Sequence, residues 1–185
     1  MIDDVLKDAT RRMDKSVENA RHEFTTVRTG RAAATLLDRV QVTAYGTKMP
    51  VNQLATIGVP EPRMLTITPF DKSIIRDIEK SILESDLGLT PSNDGNLIRL
   101  PIPELTEERR KELVKQVRHL AEEGRVSARN VRRDAIHHLK DAEKNGEAGA
   151  DDVRRAEERL QKVTDEHVAA IDSALKAKEA EIMEV

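Results

Sequence analysis

The sequence predicts an α+β fold of two domains: an elongated three-helix bundle with a small β/α/β domain inserted between two of its helices. Three observations carry this. All seven prolines (50, 60, 62, 69, 91, 101 and 103) fall in one window, leaving residues 1–49 and 104–185 free of them. Those ends place apolar residues at helical spacing, whereas the middle alternates with period two. Proline breaks helix interiors, so its confinement separates two kinds of structure.

The first helix is predicted over Asp3 to Arg28. Leu6, Ala9, Met13, Ala20, Phe24 and Val27 recur on one face, Ser16 fills a slot, and Gly30 ends the segment. Val40 to Tyr45 alternates like a strand and meets a turn at Gly46. Leu54 to Val59 and Met64 to Thr68 read as further strands around the Pro60-Glu61-Pro62 turn. Ile74, Ile75, Ile78, Ile82 and Leu83 mark a helix over Lys72 to Leu87, stopped by Gly88. Pro91 to Gly95 reads as a turn and Asn96 to Leu100 as a closing strand, with Tyr45 and Phe70 packed among the strands.

Thr106 is placed to cap the second long helix, whose apolar line is Leu113, Val117, Leu120, Gly124, Val131, Ala135 and Ala142. Residues 145–149 interrupt the pattern, and a last helix from Asp151 carries Val153, Ala156, Leu160, Val163, Ala170, Ala174 and Ile182. Three such amphipathic helices must bury their stripes on one another, here in the coiled-coil manner. The bundle therefore takes residues 1–29 and 106–185, and the inserted domain residues 30–105. Connections near residue 30 and residues 101–105 act either as a hinge at Gly30, Pro101 and Pro103 or as a rigid elbow.

Composition excludes several functions. With no cysteine there is no disulfide, thiolate metal site or thiol nucleophile. No apolar run approaches the ~18 residues that cross a bilayer. The opening Met1-Ile2-Asp3-Asp4 lacks the features of a secretory signal, so a cytoplasmic location is expected. Phosphate loops, nucleophile elbows and zinc-protease signatures are absent, and no catalytic residue, cofactor or metal is expected. Asp134 and His138 stand four apart, as metal ligands do, but that spacing is more commonly a surface ion pair.

Charge is the informative feature. The net charge is −3, yet residues 109–133 carry nine Lys/Arg against three Glu, and residues 134–185 eight against fourteen acids. On a helical wheel Arg110, Lys111, Lys115, Arg118, Arg125, Arg129, Arg132 and Arg133 fall within an arc of roughly 140° beside the apolar line. A solvated face is one reading. A phosphate-binding face is the other, favoured because guanidinium forks match phosphate and Asn130 adds an amide among Arg129, Arg132 and Arg133. Three aromatics in the chain give no stacking platform for single strands, so folded RNA read through its backbone is the better fit.

At these residues the sequence closely resembles the ribosome recycling factor family, over essentially its full length. The segments that carry the resemblance include Arg28-Thr29-Gly30-Arg31-Ala32, Pro60-Glu61-Pro62-Arg63, Pro69-Phe70-Asp71 and Pro91-Ser92-Asn93-Asp94-Gly95. Leu105 to Lys111 and Arg129-Asn130-Val131-Arg132-Arg133-Asp134-Ala135 extend it, while Ser127 stands where the family often has alanine. The resemblance implies an L-shaped monomer that binds the large ribosomal subunit after termination. With elongation factor G and that partner's GTP hydrolysis, it splits the ribosome for recycling. It further implies ribosomal-RNA contacts at Arg28, Gly30, Arg31, Arg129, Asn130, Arg132 and Arg133. A helical chaperone or nucleotide-exchange adaptor, recognising protein through its bundle, is the alternative.

Overall fold

The computed structural model describes residues 1–184. It divides into two compact units, one formed by Met1–Thr29 with the chain from Thr106 onward, the other by Gly30–Leu105. The first unit begins with α1 (Ile2–Thr26), whose buried face is Leu6, Ala9, Met13, Ser16, Val17, Ala20 and Phe24. Asp3 and Asp4 sit in its first turn, where the helix dipole favours acids. It stops two residues before Arg28. The Thr25 and Thr26 hydroxyls bond back to the His22 and Glu23 carbonyls, and Val27 turns extended while remaining buried.

The inserted unit holds β1 (Gln41–Ala44), β2 (Thr47–Pro50), the single turn α2 (Val51–Leu54), β3 (Ala55–Glu61), β4 (Met64–Pro69), α3 (Ile75–Glu84), β5 (Ser92–Asn93) and β6 (Ile98–Pro101). β1 and β2 form a hairpin about Tyr45 and Gly46, both at positive φ, as two-residue hairpin turns demand. The remaining strands make an antiparallel sheet in the order β3-β4-β6-β5. Ile75, Ile78 and Ile82 of α3 share a core with Leu65, Ile67, Ile98 and Leu100.

The sequence reading missed β2, because Lys48-Met49-Pro50 shows no alternation, and β5, because two residues are too few to show a pattern. α3 ends at Glu84 rather than Leu87: the Ser85 hydroxyl bonds to the Ile82 carbonyl, and Ser85 turns extended. Tyr45 and Phe70 are 65% and 70% exposed, not packed among the strands.

The first unit is completed by α4 (Glu107–Lys144) and α5 (Ala150–Met183). Thr106 caps α4 as expected, its hydroxyl accepting from the Arg109 N–H at 3.1 Å. The buried line of α4 is Leu113, Val117, Ala121, Gly124, Ala128, Val131, Ala135, Leu139 and Ala142, while Leu120 is only half-buried. The fully buried side chains are Val117, Ala121, Ala128 and Leu139 on α4 and Leu160, Ile171 and Ile182 on α5. Along α4 the buried line advances by threes and fours, the spacing by which one helix face packs on its neighbours.

At Gly124 the three helices approach closely. A Cβ there would lie 3.1 Å from Ala20 Cβ on α1 and 3.2 Å from Ile171 Cδ1 on α5. Beside it, the Ser16 and Ser127 hydroxyls meet at 2.7 Å. Ser16 spends its proton on the Arg12 carbonyl, so Ser127 is the donor of the pair. Ser127 thus has a partner that alanine would lack.

Candidate nucleic-acid interface

The basic stretch lies on the flank of α4. Arg129 to Arg133 stand eleven to fifteen residues before the end of the helix at Lys144, about 17–22 Å from the turn that follows. They therefore lie along the side of the helix, well short of its C-terminal end. α1 runs antiparallel to α4 here, with Arg12 Nη2 at 3.0 Å from Asp134 Oδ2 and Ser16 opposite Ser127. Asp134 is thereby held by an arginine rather than paired with His138 toward a metal, and no metal-binding group of three occurs among the described residues.

α5 passes antiparallel on the other side and supplies acids at seven-residue intervals. Arg118 Nε donates to Glu179 Oε1 at 2.7 Å, and Arg125 Nε to Asp172 Oδ1 at 2.7 Å. Arg125 also reaches Glu122 at 2.9 Å. Partial burial works against its charge, but the bonds to Asp172 and Glu122 outweigh that and raise its pKa. At the next heptad step the pattern changes. Arg132 Nη1 donates to Gln161 Oε1 at 2.9 Å, and Gln161 Nε2 donates in turn to Asp165 Oδ1 at 2.8 Å.

The eight-cation arc therefore breaks into groups of different use. Arg118 and Arg125 clasp α5, and Lys111 faces Glu107 at 3.5 Å. Arg110 falls in line with Leu113 and Val117; it is half-buried, with its Nε enclosed and unbonded, so it belongs beside the core rather than on the basic face. Arg129 shares Glu122 with Arg125 at a looser 3.6 Å. Arg132 and Arg133 have no acid within ion-pair distance among the described residues, and Arg133 touches only Asn130 Oδ1 at 3.5 Å. The surplus positive charge therefore sits with Arg132 and Arg133 next to Asn130, and Lys115, which has no partner among the described residues, lies nearer the start of α4.

The partners on α5 do not show in the composition of α4 alone, because they lie 47 and 61 residues further along the chain. The signal was present: Asp165, Asp172 and Glu179 repeat every seven residues against Arg118, Arg125 and Arg132. Gln161 had no such signature.

Arg28 is exposed but is not gathered with the α4 arginines. Ala20 packs opposite Gly124, so residue 28 lies at least about 20 Å along the helices from Arg129. Gly30 and Arg31 belong to the inserted unit. Gly30 adopts φ +79°, and a Cβ there would meet Leu105 Cγ at 3.2 Å. Among the expected hinge residues, Pro101 ends β6 opposite Met64, and the following Ile102 N–H bonds the Arg63 carbonyl. Sheet pairing fixes that backbone, which leaves Gly30 and Pro103 nearest the chain crossings.

Comparison with known proteins supplies the frame for this surface. A family model described as ribosome recycling factor matches residues 20–183. The ribosome-recycling factor of Rubrobacter xylanophilus is 60% identical over 180 residues, covering 97% of each chain. That of Bacillus subtilis is 56% identical over 185 residues, covering both chains completely. A solution structure of a ribosome recycling factor superposes with a TM-score of 0.72 at 42% identity, covering 100% of this chain and 98% of that one. A second match, TM-score 0.62 at 43% identity over the whole of both chains, comes from models of the T. thermophilus factor and E. coli elongation factor G bound to the E. coli post-termination complex.

Proposed function

The chain belongs to the ribosome recycling factor family, one of translation factors and not enzymes, and from that premise we propose that it binds the large ribosomal subunit after termination. Together with elongation factor G, whose GTP hydrolysis supplies the work, it then splits the ribosome into subunits in the cytoplasm. The chain itself contributes binding and rigidity. Arg129, Asn130, Arg132 and Arg133 grip ribosomal-RNA phosphates from the side of the bundle, and Arg28, Gly30 and Arg31 make a separate contact. The observation that carries this reading is that Arg132 and Arg133 keep guanidinium donors without an acidic partner among the described residues, on a helix whose other arginines are mostly paired.

Mechanically, α4 and α5 are long helices of 38 and 34 residues, closely packed at Gly124. Such a pack bends little, so a push delivered elsewhere on the chain is transmitted along it. The inserted unit is the part to be pushed, turning about backbone near Gly30 and Pro103. A relative bound to the post-termination complex alongside elongation factor G supports this assignment of partners.

The test is sucrose-gradient co-sedimentation with large subunits at two salt concentrations, followed by subunit splitting with elongation factor G and GTP. Binding that falls steeply with salt, and splitting that needs both partners, are expected. Salt-insensitive binding would instead point to protein contacts through the bundle and remove the phosphate account.

A further inference from the structure

We propose that Gln161 is a positioning residue that insulates Arg132 from Asp165 and so keeps its guanidinium available for RNA. The inference builds on the function proposed above. α4 and α5 run antiparallel with a seven-residue match: Arg118 meets Glu179, and Arg125 meets Asp172. One further heptad on each helix brings Arg132 to the level of Asp165. By that register a third ion pair is due, and it does not form. Gln161, one helical turn before Asp165 on the same face of α5, stands in both paths.

The amide orientation follows from chemistry. Arginine has only donors and an ionised aspartate only acceptors, so the Gln161 oxygen faces Arg132 and its nitrogen faces Asp165. The amide therefore satisfies one N–H of Arg132 with a neutral acceptor and occupies an oxygen of Asp165 with a neutral donor. Four of the five guanidinium N–H groups stay unused, and no carboxylate cancels the charge. A carboxylate at position 161 would neutralise Arg132; a short apolar residue would let Asp165 and Arg132 close on each other.

The experiment compares the parent, Gln161→Ala, Asp165→Asn and the double variant. Gln161→Ala is expected to weaken binding to large subunits by about two- to fivefold, the reach of one exposed ion pair. It should also lower the slope of log K against log salt by about 0.7–0.9. Adding Asp165→Asn to Gln161→Ala should restore binding and slope, since an uncharged amide at 165 cannot neutralise the guanidinium. A merely structural role for Gln161 predicts no rescue, and that result overturns the proposal, as does unchanged binding in Gln161→Ala.

Two controls separate this proposal from the reading it rests on. If Arg132→Ala binds like the parent, the RNA role of Arg132 fails. Insulation is then decided in the free protein, by a double-mutant cycle between Arg132→Ala and Asp165→Asn in chemical unfolding. Coupling that appears only when Gln161 is alanine supports it, and equal coupling in both backgrounds rejects it.

Discussion

Arg125 and Arg132 are separated by seven residues on one face of one helix, and the structure assigns them opposite consequences. Arg125 is 20% exposed and bonds Asp172 and Glu122; truncating it to alanine leaves two acids without their cation. The expected cost is about 1 kcal/mol of stability, the upper end for a solvent-accessible pair because a small network is lost. Arg132→Ala removes one bond to a neutral, exposed amide, so stability should move by no more than about 0.5 kcal/mol. On the ribosome the order reverses. A charge-assisted contact to phosphate is worth about 1.5–3 kcal/mol, so Arg132→Ala should weaken binding by roughly ten- to a hundredfold or more. Arg125→Ala acts on binding only indirectly, because its loss frees Glu122 to draw closer to Arg129 at 3.6 Å. Chemical unfolding of the free variants and pelleting with large subunits read the two effects separately. If Arg125→Ala proved the stronger binding defect with stability intact, the division into structural and RNA-facing arginines would be refuted.

Gly124→Val is expected to destabilise the bundle by about 1–3 kcal/mol in chemical unfolding, because the new methyls would strike Ala20 and Ile171 and Ala20 has no rotamer to yield. Gly30→Ala places a side chain at φ +79° against Leu105, and should cost the inserted unit about 1–2 kcal/mol or more; native-state hydrogen exchange should show earlier opening there. Ser127→Ala leaves the Ser16 hydroxyl its bond to the Arg12 carbonyl, so the loss in thermal stability should stay near 1 kcal/mol or below. Acid should weaken the inserted unit through Asp71 and Asp94. The Tyr45 hydroxyl, then Ser73, lower the pKa of Asp71, and the backbone N–H groups of Leu97 and Asn96, then Arg99, lower that of Asp94. A lowered folded pKa means stability fully present above the ordinary 3.8 and lost as pH falls through the folded value. Asp94→Asn should flatten that acid limb in circular dichroism, and an unaltered limb would remove Asp94 from the explanation.

The amino-acid order alone determined the division into helical ends and a mixed middle, the N-cap at Thr106, most of the core stripes and the basic character of residues 109–133. These are local matters: proline's missing N–H, the period of apolar residues and charge density are properties of short windows. It did not determine which cations are free. Arg118, Arg125 and Arg132 look alike on the helical wheel, and only the packing of α5, 29 or more residues away in the chain, pairs two of them and leaves the third to Gln161. Tertiary structure likewise moved Arg110 toward the core, placed Pro101 in a strand and turned Tyr45 and Phe70 outward, since burial and pairing depend on what a distant segment covers. Charge can be counted along a chain, but its availability depends on which side chains folding brings within hydrogen-bonding distance.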